Sequence, residues 1–251
     1  MPDEVLLRTE AVTKSFAGFV AVREVSLEVQ RGSIHALIGP NGAGKTTYFN
    51  LLTRFLPVTS GHIFFKGRDI TGMTPHDVSR LGIVRSFQIS AVFPHLTVLE
   101  NVRMALQRFR ADNYFFWRSD AVLRAFDGRA RALLADVGLE DHAGLVAGEL
   151  PYGRKRALEL ATTLALEPEL LLLDEPTSGM AGEDIGRIVA LIRRVAANRT
   201  VLMVEHNLSV VADLSHRITV MQHGAILADG SYDEVAKDPA VIEAYMGTGF
   251  D

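Results

Sequence analysis

Two short runs in this chain carry almost no polar interruption: Ile34-His35-Ala36-Leu37-Ile38 and Leu170-Leu171-Leu172-Leu173. The first has the pattern of a buried strand, and four successive leucines suit a central strand of a parallel sheet, covered on both faces. Residues 5 to 29 behave differently. Val5-Leu6-Leu7, Val20-Ala21-Val22 and Val25 to Val29 alternate around Ala17-Gly18, which predicts an antiparallel β layer. Gly61 to Gly67 adds a strand and tight turn, and Gly82 to Gln88 a further strand that ends in Gln88.

Helical spacing follows the first buried run at Tyr48-Phe49-Asn50-Leu51-Leu52, and a short helix opens at Thr74-Pro75 and runs to Arg80. From residue 89 to about 150 the chain changes character. Leu99 to Arg110 and Ala121 to Val137 are helical, divided by a break at Ala111-Asp112-Asn113 and the aromatic run Tyr114-Phe115-Phe116-Trp117, which fits either internal packing or a partner patch. A further helix is predicted over Lys155 to Leu166, with Ala157, Leu158, Leu160, Ala161, Leu164 and Ala165 as its apolar stripe. The last third alternates again: a helix through Ile185 to Ala197, a strand over Thr200 to Val204, then Glu205-His206-Asn207 opening another helix. Arg217 to Met221 and Ala225 to Ala228 pair as edge strands through Gln222-His223-Gly224, and Tyr232 to Met246 holds two short helices. The expected architecture is α/β, a mixed central sheet with an antiparallel β layer (residues 1–88 and 168–251), interrupted by a helical subdomain at about 89–167.

Between the first buried strand and its helix stands Gly39-Pro40-Asn41-Gly42-Ala43-Gly44-Lys45-Thr46-Thr47. Strand, glycine loop and helix in that order are the context of a phosphate-binding loop. A triphosphate needs many N–H donors at close range. Glycines at 39, 42 and 44 clear the approach and permit backbone angles that other residues resist. The helix beginning near Lys45 aims unpaired N–H groups and its positive dipole end at the anion. Lys45 is expected to reach the β- and γ-phosphates, the Thr46 hydroxyl to ligate a bridging Mg²⁺, and Thr47 to meet the α-phosphate.

Open α/β sheets gather ligand sites at the carboxyl ends of their strands. Asp174-Glu175 closes the leucine run at such an end, and adjacent carboxylates there can divide the work: Asp174 on Mg²⁺ through its water shell, Glu175 on the attacking water. His206 falls at another strand end, either as a γ-phosphate or water contact or as an ordinary cap. Gln88 either meets the metal or its water or is merely solvated, and Phe16 either stacks on adenine or packs on the β layer. Leu150-Pro151-Tyr152-Gly153-Arg154 puts a second glycine at a helix start, a candidate anion contact.

Composition sharpens this picture only in part. The 251 residues are 48% hydrophobic with a net charge of -4, so no global basic field points to nucleic acid. Arg154-Lys155-Arg156 suits a solvated helix face. There is no cysteine, which removes disulfides and thiolate chemistry. Met1-Pro2-Asp3-Glu4 is not expected to open a secretory signal, and no apolar run approaches the roughly 20 residues that span a bilayer.

Taken in order, Phe16, the loop 39 to 47, Gln88, Leu150 to Arg154, Asp174-Glu175 and His206 resemble the adenine-stacking aromatic, Walker A, Q-loop, signature, Walker B and switch histidine of ABC transporter ATP-binding subunits. The resemblance covers essentially the whole chain and implies a P-loop NTPase of ABC type. Within that family the chain is most similar to subunits of importers for branched-chain and other hydrophobic amino acids, on Phe16 to Val22, Val84-Arg85-Ser86-Phe87-Gln88, Tyr152 and Val241 to Gly247. The resemblance implies ATP and Mg²⁺, a homodimer or a heterodimer with a related subunit, transmembrane permease subunits, an indirect link to a solute-binding protein, and a peripheral place on the cytoplasmic face of the inner or plasma membrane. It implies no nucleic acid. Pro151 and Arg154 replace the serine and glutamine of the general signature, and Ala181 stands where many relatives carry aspartate. A soluble ABC-type ATPase acting on nucleic acid or ribosomes, and a nucleotide-binding regulator without turnover, are the alternatives; one set of motifs and an acidic total speak against the first.

Overall fold

The alternating start of the chain condenses into one long strand. β1 (Val5–Phe16) runs for 12 residues, turns at Ala17-Gly18 and pairs antiparallel with β2 (Phe19–Val25), while its first half also pairs with β3 (Glu28–Gln30). The computed structural model describes residues 4–86, 92–107, 125–180 and 182–246. In chain order there follow β4 (Ile34–Ile38), α1 (Lys45–Leu52), β5 (Ser60–Phe65), β6 (Arg68–Asp69), α2 (Pro75–Arg80), β7 (Ile83–Ser86), α3 (Val98–Leu106), α4 (Asp127–Asp136), α5 (Tyr152–Leu164), β8 (Leu170–Asp174), α6 (Gly182–Ala196), β9 (Thr200–Val204), α7 (Leu208–Leu214), β10 (Arg217–Gln222), β11 (Ala225–Gly230), α8 (Tyr232–Val235) and α9 (Pro239–Met246). They divide into two units.

The first unit takes in the residues before Ser86, then 169–178 and those from 196 onward. Its six-stranded sheet has the order β11-β10-β4-β9-β8-β7, with β10, β4, β9 and β8 mutually parallel and β11 antiparallel at one edge. β4, β8 and β9 are buried throughout, as unbroken apolar runs require. β10 is not the edge strand its sequence suggested. Its backbone bonds β4 on one side and β11 on the other, so of the hairpin's two strands β11 alone stands at a sheet edge. A second sheet, β2-β1-β5-β6 with β3 beside β1, forms the antiparallel layer. Tyr48, Phe49, Leu51 and Leu52 of α1 fill the core with Leu6, Leu7 and Ile63 of this layer and Leu37, Leu172 and Leu202 of the parallel sheet. Tyr48 is buried, its hydroxyl 2.9 Å from Thr9 Oγ1, and burial drives its pKa up.

The second unit consists of residues 86–168 and 179–195. α3 packs on α4 and α5, and Val102, Leu106, Leu133, Leu134 and Leu158 of these helices are buried. Thr97 opens α3 with a capping box: its side chain accepts from Glu100 N, and the Glu100 carboxylate accepts from Thr97 N at 2.7 Å. Buried Asn101 accepts from Phe93 N at 2.7 Å and returns bonds to Phe93 O and Thr97 O, so no polar group is stranded there. The helix expected from Lys155 begins at Tyr152, because Pro151, at φ -56° and ψ 156°, already has the geometry of a helix cap. Residues 108–124, including the aromatic run 114–117, lie outside the described residues, as do Gln88 and Ala181.

Candidate functional site

β4 ends at Ile38, and the loop behind it is shaped by backbone contacts. Gly39, Gly42 and Gly44 have φ of +145°, +79° and +99°. A Cβ on Gly39 would run into the Met221 carbonyl, and one on Gly44 into that of Ala21, so side chains are excluded by neighbouring main chain. The β10–β11 turn braces the loop from below: Gly224 N donates to Ala43 O at 3.0 Å, and Arg23 N to Gly224 O at 2.7 Å. Gly224 thus joins the loop to β2, a role that its place in a hairpin turn did not advertise.

α1 starts after Gly44 with no side-chain cap on its first-turn N–H groups. Lys45 Nζ is held over the loop by Gly39 O at 2.6 Å and Pro40 O at 2.9 Å. Burial lowers its pKa, and the nearby carboxylates of Glu175 and Asp174 oppose that shift. Thr46 is exposed and Thr47 half-buried beside it, with Asn41 open to solvent at the loop tip. Tyr245 of α9, whose pKa is raised by burial, hydrogen-bonds the backbone of Gly39, so the tail also reaches the loop.

Parallel register sets the strand ends level. Asp174 lies opposite Val204, and Leu37 is likewise paired with Val204. The residues after β4, β8 and β9 therefore emerge together, as the sequence reading required. Glu175 takes a φ of +47° and its N–H donates to Val204 O at 2.8 Å. That turn brings Glu175 Oε1 to 2.8 Å from His206 Nε2. Asp174 is buried; one carboxylate oxygen pairs with Arg85 and the other has no partner among the described residues. Arg85 also donates to Asn50 Oδ1 at 2.6 Å, fixing it between β7 and α1. Glu205, buried, accepts from Thr177 Oγ1 and from His206 N at 2.7 Å, which fixes the backbone that carries His206. Neither Arg85 nor Glu205 was singled out from sequence, because each earns its place by a partner distant along the chain. Phe16, at the end of β1, is exposed, with Lys14 Nζ 5.0 Å from its ring centre.

In the second unit, Leu150 is buried and Pro151 caps α5 without a side-chain bond, so Tyr152, Gly153 and Arg154 form its first turn. Tyr152 Oη accepts from Arg156 Nη2 at 3.0 Å, and Arg156 Nη1 donates to buried Glu159 at 2.8 Å. That pairing raises the Arg156 pKa although burial alone would lower it. Gly153 faces the Asp184 carboxylate so closely that a Cβ would lie 3.2 Å from Oδ1.

The family described as "ABC transporter" matches residues 22–178, and that described as "Branched-chain amino acid ATP-binding cassette transporter" matches residues 225–251. The high-affinity branched-chain amino acid transport ATP-binding protein BraF of Pseudomonas aeruginosa is 37% identical over 96% of this chain and 98% of its own. The corresponding LivG protein of Salmonella typhimurium is 38% identical over 98% of this chain and 99% of its own. The crystal structure of a nucleotide-free ATP-binding cassette from an ABC transporter superposes with a TM-score of 0.84 at 30% identity, covering 96% of this chain and 99% of that one. Likeness of this extent, in sequence over nearly the whole chain and in fold, has one consequence: the chain belongs to the ABC transporter family and is an ATPase of it.

Proposed function

We propose that this ATPase powers the uptake of branched-chain or other hydrophobic amino acids. It would work as a pair of ATP-binding subunits, alike or related, under transmembrane permease subunits at the cytoplasmic face of the membrane, with a solute-binding protein delivering cargo. What supports the cargo is likeness over nearly the whole chain to BraF and LivG, whose names carry that activity, and the tail match at 225–251. Among the described residues no helix is long and apolar enough to cross a membrane.

Residue roles follow from charge and position. Asn41, Gly42 and Gly44 supply backbone N–H donors in a loop shaped by Gly39, Pro40 and Ala43, whose own N–H donates to Pro40 O; Lys45 is the cation for the β- and γ-phosphates, Thr47 the α-phosphate contact and Phe16 an adenine platform. The unpartnered oxygen of Asp174 and the exposed Thr46 hydroxyl suit Mg²⁺ with its waters; among the described residues no cluster of three or more acidic or histidine side chains offers a rival metal site. Magnesium there would neutralise charge on the phosphate oxygens. Glu175 polarises the attacking water and His206 holds Glu175 in place while reaching for the γ-phosphate. Gln88, outside the described residues, is proposed for the metal or its water on sequence order alone. Leu150 to Arg154 of one subunit would close on the nucleotide of the other, with the N–H groups of α5 in place of the absent serine.

The single observation that carries this reading is the 2.8 Å Glu175–His206 pair at the level strand ends beside Lys45. Glu175→Gln should bind ATP like the parent, lower phosphate release by at least about 10² and accumulate as an ATP-bound dimer on gel filtration. Used as bait in detergent-solubilised membranes, that trapped dimer should retain a hydrophobic membrane protein. Parental turnover would overturn the assignment of Glu175, and recovery of ribosomes would overturn the transporter reading.

A further inference from the structure

Against the first turn of α5 lies a cavity of about 370 Å³. Its walls come from α5, from α6 and from the segment after α4, all within the second unit. The size falls in the lower range of small-molecule sites and far exceeds a water site. Its apolar lining is Val137, Leu139, Ile188 and Leu191.

The charges around this floor are unevenly committed. Arg187 is engaged with Asp184 at 3.4 Å and Glu183 at 3.7 Å, and Arg194 donates to Asp136 O at 3.0 Å. Arg154 lines the same cavity and has neither an ion pair nor a hydrogen bond among the described residues. His142 also lines it, and its buried Nδ1 lacks a partner among them. Arg154 is exposed at the cavity mouth, where its guanidinium is free to pair with a carboxylate, and the aliphatic floor suits an apolar body a few carbons long. Asp184 supplies a counter-charge for an ammonium group.

We propose that this cavity binds a small carboxylate with an apolar body, of the hydrophobic amino-acid or 2-oxo-acid class. Arg154 holds the carboxylate, and Val137, Leu139, Ile188 and Leu191 hold the aliphatic part. Asp184 favours the amino acid over the oxo acid. Because Arg154 stands in the first turn of α5, an occupied cavity restrains that turn, and the ligand acts as a regulator of the ATPase. This last consequence, unlike the binding, rests on the signature role proposed above.

The test is calorimetric titration of the full chain with L-leucine, with 4-methyl-2-oxopentanoate and with acetate, which lacks the apolar body. Leucine should bind most tightly and acetate at least about tenfold more weakly than either larger ligand. Arg154→Gln should weaken both larger ligands about tenfold, and Asp184→Asn should weaken leucine alone by a similar factor. Ala190→Phe fills the cavity from an exposed position and should remove binding while leaving the circular dichroism spectrum unchanged. The proposal is overturned if neither larger ligand binds up to about 10 mM, if acetate binds as well as leucine, or if Arg154→Gln binds as the parent does. Loss of leucine binding in Asp184→Asn with oxo-acid binding intact would identify the amino acid as the favoured source.

Discussion

α1 and α5 both begin at proposed anion sites, and both begin without the side-chain cap that helices normally carry. α2, α3, α7 and α8 start at Thr74, Thr97, Asn207 and Ser231, each accepting from a first-turn N–H. α4, behind Phe126, also starts uncapped, and at α1 and α5 no capping side chain accepts from the first turn. The two starts are nevertheless held by different means. Gly39 and Gly44 are fixed by main chain, wedged against the carbonyls of Met221 and Ala21. The α5 turn is fixed by side chains, through Tyr152, Arg156 and Glu159 and through Asp184 against Gly153. A backbone cradle tolerates almost no change of residue. A side-chain brace permits substitution, which is why a proline and an arginine can stand in the signature while the phosphate loop keeps every glycine.

Gly39→Ala is the harshest way to break this contrast. At φ +145° and against Met221 O the added methyl meets both backbone strain and overpacking, together about 4 kcal/mol. ATP affinity measured with a fluorescent analogue should fall at least about hundredfold. Gly153→Ala, facing a carboxylate that can shift, should fold and keep its melting temperature within a few degrees. Equal losses at the two glycines would remove the distinction between cradle and brace.

What was legible in the sequence follows the same division. Gly39 to Thr47 and Asp174-Glu175 could be put forward as a site because phosphate chemistry dictates the residue types and the sequence alone supplies their order. Buried runs gave β4, β8 and β9 because a strand covered on both faces leaves no alternation to misread. Arg85 on Asp174, Glu205 on Thr177 and Gly224 under Ala43 were not legible, since each depends on a contact made only when distant strands come together. The apolar stripe marks α5 only from Ala157 onward, so its polar first turn at Tyr152-Gly153-Arg154 carries no periodic signal, and only the backbone shows Pro151 as the cap itself.

Acid should loosen the cradle side first. His35 on β4, the strand that delivers Gly39, is buried with Nε2 2.8 Å from Thr219 Oγ1, and Thr219 donates onward to Asp229. Nε2 therefore carries the proton, and Nδ1 has no partner among the described residues. Burial pushes the pKa down from 6.5 to about 4, Asp229 pulling the other way. The unfolded chain thus binds a proton that the folded chain refuses. Stability is full above about pH 6.5 and is lost as pH falls toward 4, by about 3 kcal/mol from this group. Urea melts between pH 7 and 4 should show that slope, and His35→Leu should flatten it. Hydrogen exchange should place the loosening in β4 and β10; an unchanged slope in the variant would assign it elsewhere.

The mildest test installs on α5 the cap it lacks. Pro151 already holds the extended backbone of a cap residue, so Pro151→Ser requires no rearrangement, and its hydroxyl can accept from the first-turn N–H of Gly153 or Arg154. The cap adds about 1 kcal/mol, while losing proline frees the unfolded chain and costs about half of that or more, so net stability should move by no more than about 0.5 kcal/mol. Amide exchange is the sharper readout, because a serine cap would slow exchange at Gly153 or Arg154 without touching the brace at Arg156. Unchanged exchange at both amides would mean that those donors are already satisfied in solution, and α5 would then cease to be comparable with α1.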